Sequence, residues 1–166
     1  MEPTKIDLII QYALLVAGQE DEYLDQQLGP IHLIKYVYLA DLAYAECNHG
    51  KTFTGIDWQF YKFGPWSEKV HERIEPALIA LGAIKKTFPS EFEDKDDWVR
   101  WQLTDDNLLD KIDSQLPHPI TSRLKRDIHG FGNDTTSLLS YVYQNAPMIS
   151  AVPHENLDFS HLCEII

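Results

Sequence analysis

Cysteine is scarce in this chain: Cys47 and Cys163 are the only two in 166 residues. Two distant thiols make neither a disulfide framework nor a metal-ligand spacing, so both are expected to be reduced structural thiols of a cytoplasmic protein. Basic residues are also few, 14 Lys and Arg against 26 Asp and Glu, giving a net charge of −12. Binding to nucleic acid relies on Lys and Arg against phosphate, so that class of partner is disfavoured. No apolar run approaches the roughly 18 residues that a membrane-spanning helix needs. The first residues, Met1-Glu2-Pro3-Thr4-Lys5, lack a basic region and a small-residue cleavage site, so no secretory leader is expected. Gly-x-Ser-x-Gly, P-loop and Gly-x-Gly-x-x-Gly patterns are all missing. The histidines (His32, His49, His71, His118, His129, His154 and His161) form no His-x-x-x-His pair with an acid, and no cysteine joins them at ligand spacing. The expectation is a protein with no metal, no cofactor and no catalytic residues.

What is present is ordinary for a globular domain: 44% hydrophobic and 24% charged residues. A chain of this length buries a core without staples. Thr4 three residues before Asp7 starts an apolar-periodic run with Ile6, Ile10, Ala13, Leu14 and Ala17 on one face, predicting a helix over 4–18. Gly29-Pro30 opens a second helix, over 30–48, that is apolar on most sides. Its polar positions His32, Lys35 and Glu46 are expected to cluster away from the apolar stripe. Residues 52–62 read as a short aromatic strand with its lead-in. Gly64-Pro65 reads as a corner, and residues 66–81 as a helix kinked or broken at Pro76. Residues 84–88 and 98–103 suggest a hairpin, residues 105–115 an amphipathic helix, and residues 121–131 and 135–145 two closing helices, with Asp134 capping the second. Residues from 147 onward read as a loop or tail. The resulting expectation is α+β: one mostly helical domain over 1–150, in the order helix, helix, strand, helix, hairpin, helices, with a small antiparallel sheet and a tail over 151–166.

The most informative block is Ile34-Lys35-Tyr36-Val37-Tyr38-Leu39-Ala40-Asp41, then Gly50-Lys51-Thr52-Phe53-Thr54-Gly55, then Lys62-Phe63-Gly64-Pro65-Trp66. It sets Asp41 in the middle of an apolar helix. An unpaired buried charge is costly, so Asp41 must have a partner. Its motif contains no base, nucleophile or metal ligand, and it therefore reads as structural. The expected partners are backbone amides or a hydroxyl of the 52–55 turn, or a Lys or Arg. Gly50 and Gly55 read as positions that need a positive φ.

The residues Tyr36-Val37-Tyr38-Leu39-Ala40-Asp41, Gly50-Lys51-Thr52-Phe53-Thr54-Gly55 and Phe63-Gly64-Pro65 resemble the signature of the Panacea domain, the SocA-like antitoxins. Thr52 stands where that family usually has proline, and Trp66 where it commonly has a small or aliphatic residue. The resemblance covers roughly residues 30–150. Tyr38, Asp41, Gly50, Thr54, Gly55, Gly64 and Pro65 carry it, as scaffold. It implies a bacterial or phage antitoxin that neutralises a toxin by direct protein contact, or in one branch an adaptor that delivers the toxin to an AAA+ protease.

Read from the residues, the partner surface has two ingredients. Trp58, Phe60, Tyr61, Phe63 and Trp66 crowd one region, and Trp66 is expected as an exposed interface anchor; Trp98, with Trp101, is ambiguous in the same way. The acidic segment Glu91, Glu93, Asp94, Asp96 and Asp97 is either a solvated face or a surface that steers a basic partner. The alternative function is a winged-helix-like transcriptional regulator whose recognition helix would span 67–81. Its wing tip would be that same acidic segment, which repels phosphate.

Overall fold

The structure is a computed structural model, and it describes residues 4–61, 64–89, 98–144, 146–149 and 156–159. The chain is a single mostly helical domain with two small antiparallel sheets, an α+β architecture. Helix α1 is Lys5–Ala17, capped by Thr4, whose side chain accepts from the Asp7 amide. A single 3-10 turn, Tyr23–Gln26, leads to α2, Pro30–Cys47. The hairpin β1, Gln59–Tyr61, and β2, Gly64–Trp66, follows, then α3, Glu68–Leu81. A second hairpin joins β3, Ile84–Phe88, to β4, Trp98–Gln102. The helices α4, Asp106–Asp113, α5, His118–Phe131, α6, Thr135–Tyr143, and the short α7, Ala146–Ile149, complete it.

Helices α1 and α2 form the centre, and both are apolar around most of their circumference because neighbours cover them on several sides. Helix α1 packs on α2, α3, α4 and α5, while α2 also meets α5 and α6. Several polar groups caught in these contacts are paired. Buried Asp7 takes a two-pronged bond from Arg73 of α3, at 2.9 and 2.7 Å. The Gln11 side chain donates to the Ala77 carbonyl at 2.9 Å, and the Tyr12 hydroxyl to Asp113 at 2.8 Å. Gly18 is required by close approach, since a Cβ there would lie 2.1 Å from the Leu103 carbonyl oxygen.

Several sequence expectations need correction. Helix α3 runs unbroken through Pro76: the proline is exposed on its outer side, while Val70, Ile74, Ala77 and Leu78 hold the inner side in the core. Gly64-Pro65 is no corner but the start of β2, paired as Tyr61↔Gly64, Phe60↔Pro65 and Gln59↔Trp66. An edge of a two-stranded ribbon tolerates a proline. Residues 146–149 are helical, and Asn156 bridges Gln59 while Leu157 and Phe159 are buried in the core.

Candidate functional site

Asp41 lies at mid-length on α2 and is 0% exposed. The loop after α2 folds back over it. Gly50 and Gly55 take φ of 81° and 74°, the left-handed region where a side chain is strained. That geometry delivers the Thr54 amide to Asp41 Oδ1 at 3.0 Å and the Thr54 hydroxyl to Oδ2 in a short bond. The Trp58 indole N–H donates to the same Oδ2 at 2.8 Å. The Thr54 hydroxyl in turn accepts from the Ile56 amide, and Thr52 Oγ1 from the Gly55 amide. Burial pushes the Asp41 carboxyl above its ordinary range, and the Thr54 and Trp58 donors pull it back only in part. The expected amide and hydroxyl partners are therefore found, and no Lys or Arg among the described residues pairs with Asp41. Trp58 was missed as a partner. Its signal is that a fully buried indole N–H requires an acceptor. Tyr38 stacks edge-on against Trp58, with centroids 5.5 Å apart, and its buried hydroxyl finds no partner among the described residues. The cluster fastens the 50–58 loop to α2 and is closed to solvent at its carboxylate.

Two of the three polar positions of α2, His32 and Lys35, are buried. Only Glu46 is exposed, paired with Arg123 at 2.7 Å. His32 is fully buried, its Nδ1 accepting from the Gly29 amide at 2.9 Å and its Nε2 sharing a proton with Thr135 Oγ1 at 2.8 Å. Burial, with Arg100 nearby, holds this imidazole down to about 4. The ring C–H resonances of His32 are thus expected to stay unchanged from pH 8 to pH 5 in an NMR titration, and a shift centred near the ordinary 6.5 would contradict the placement. Lys35 is 1% exposed, and its amine donates to the Pro65 carbonyl of β2. Cys47, expected as a structural thiol, is exposed at the end of α2.

Of the proposed partner residues, Trp66 is half-buried rather than exposed, wedged between Tyr61 and His71 at centroid distances of 6.0 and 5.3 Å. Glu91, Glu93, Asp94, Asp96 and Asp97 lie outside the described residues. Trp98 is 49% exposed at the start of β4. It stacks on Phe88 of β3 at 4.7 Å, with the Arg100 guanidinium 4.8 Å over its ring. Strand pairing sets Lys86 opposite Arg100 on that hairpin, and the Lys86 amine lies 4.0 Å over the ring of Tyr23, which is 50% exposed. The hairpin and the 3-10 turn beside it thus bring Tyr23, Lys86, Phe88, Trp98 and Arg100 together. The sequence reading missed the two cations and Tyr23, because only the register brings them beside Trp98.

Among the described residues, no group of three or more His, Cys, Asp or Glu is placed to hold a metal ion, and no helix is long and apolar enough to cross a membrane. Comparisons of the chain with protein-family models, with curated proteins and with solved structures find no match.

Proposed function

We propose that this protein is an antitoxin-type binding module that neutralises a partner toxin by covering it, with no chemistry of its own. The observation that carries the reading is the hairpin face around Trp98. An exposed indole already fixed between Phe88 and Arg100 loses little rotamer freedom on binding, and such tryptophans are frequent interface hot spots. The resemblance of residues 36–41, 50–55 and 63–65 to antitoxin scaffolds supports a toxin as the partner. The net charge of −12 suits a basic one, although the described part of the face carries Lys86 and Arg100 and leaves charge attraction to other surfaces.

The test is co-expression with the growth-arresting product of an adjacent reading frame. Growth is restored by the wild type, and Trp98→Ala loses most of the rescue while lowering stability by less than about 1 kcal/mol. No rescue by the wild type overturns the reading. An unchanged toxin lifetime fits occlusion, and a shortened one fits an adaptor for an AAA+ protease. The regulator alternative gains no observation: the solvent side of α3 carries Glu68, Glu72 and Glu75 beside Lys69 and His71, and Arg73 is engaged by Asp7. A gel shift on its own promoter at physiological salt would favour that alternative instead.

A further inference from the structure

A cavity of about 350 Å³ opens where the start of α2 faces β1–β2 and α3. Its walls include Ile31, Ile34, Tyr61, Trp66 and His71, and Lys35 is part of the lining. This volume is within the range of small-molecule sites, which pair apolar walls with a few placed polar groups. Lys35 supplies such a group. Its side chain is 1% exposed, and its one hydrogen-bond partner among the described residues is the Pro65 carbonyl. An ammonium has three donors, so two are left without a protein acceptor among the described residues. No carboxylate among the described residues pairs with it, and an ammonium buried without a counter-charge is costly. Burial accordingly holds the amine down to about 7. A methionine would fill the same space without that cost.

We infer that this cavity binds a small apolar monocarboxylate, its ring or hydrocarbon chain against Ile34, Tyr61 and Trp66 and its carboxylate on the Lys35 amine. The ligand supplies the missing counter-charge in a low-dielectric setting, where a direct pair is stronger than in water. A phosphate fits less well, because a dianion calls for several donors and Lys35 is the one cationic side chain among the described residues of the lining, the exposed His71 apart. The inference is independent of the antitoxin reading. Its rival is that Lys35 is only a strut from α2 to the Pro65 carbonyl.

The two are separated by calorimetric titration of the full chain with 4-phenylbutyrate, 4-phenylbutanamide and 4-phenylbutylamine. The acid is expected to bind about ten- to a hundredfold more tightly than the amide, and the amine not to bind. Lys35→Met is expected to abolish the preference for the acid while retaining the amide. Trp66→Ala, which opens the apolar wall, weakens acid and amide alike and leaves their ratio unchanged. Equal affinity for acid and amide in the wild type overturns the inference without any variant. So does the absence of binding by all three, or an acid preference that survives in Lys35→Met.

Discussion

Asp41→Ala is expected to lower the unfolding free energy by about 3–5 kcal/mol, read by denaturant melts. Alanine removes the acceptor for three donors at once: the Thr54 amide, the Thr54 hydroxyl and the Trp58 indole N–H. Each buried donor left unmet costs about 1–3 kcal/mol. Trp58 is 0% exposed and has no route to water, whereas half-buried Thr54 partly rehydrates. Relief from burying a charge offsets some of the loss, which keeps the figure below the sum of three. Asp41→Asn keeps one oxygen but aims an NH2 at donors, and is expected to recover less than half. Trp58→Phe removes one donor without stranding another and is expected to cost about 1–2 kcal/mol. An unchanged midpoint in Asp41→Ala would show that the carboxylate does not hold the loop to α2.

Lys35 predicts an effect of opposite sign. Its amine titrates at about 7 in the fold against an ordinary 10.5. Between those values the unfolded chain binds a proton that the folded chain does not, so stability rises with pH. One proton corresponds to about 1.4 kcal/mol per pH unit, or about 4 kcal/mol from pH 7 to pH 10. The gain stops near pH 10, because burial raises the hydroxyls of Tyr12, Tyr36 and Tyr38 above their ordinary range and the unfolded tyrosines then lose protons first. Lys35→Met removes the slope. At pH 7 it exchanges that desolvation cost for the lost bond to Pro65, for a net stabilisation of about 1–3 kcal/mol. A wild-type stability that is flat or falling between pH 7 and pH 10 would mean that Lys35 is not held in an apolar setting.

How far the sequence foretold this structure depended on the range of the signal. Caps and turns are local, and Thr4, Asp134, Gly50 and Gly55 behave as their chemistry requires. The pairing of Asp41 with Thr54 was legible because a glycine-bounded turn thirteen residues on supplies donors within reach. Segments 84–88 and 98–103 were legible as a hairpin, but Trp98-Val99-Arg100-Trp101 does not alternate cleanly, so the register that pairs Phe88 with Trp98 was not. Positions decided by distant contacts were not legible. Helix α2 is covered on nearly all sides, so its polar residues had no open face to mark, and the burial of His32 and Lys35 left no periodic trace. Pro76 continues a helix because packing on α1 outweighs its local preference. The hairpin face became a surface only once strand register set Lys86 and Arg100 beside Trp98.

The proposed docking function is tested most directly by titrating a candidate toxin, the purified product of an adjacent reading frame, into the wild type and into Trp98→Ala, with melting temperatures measured on the same samples. It predicts that the variant binds about ten- to a hundredfold more weakly at a nearly unchanged melting temperature. Equal affinities for the two proteins, or no complex with the wild type, would contradict it.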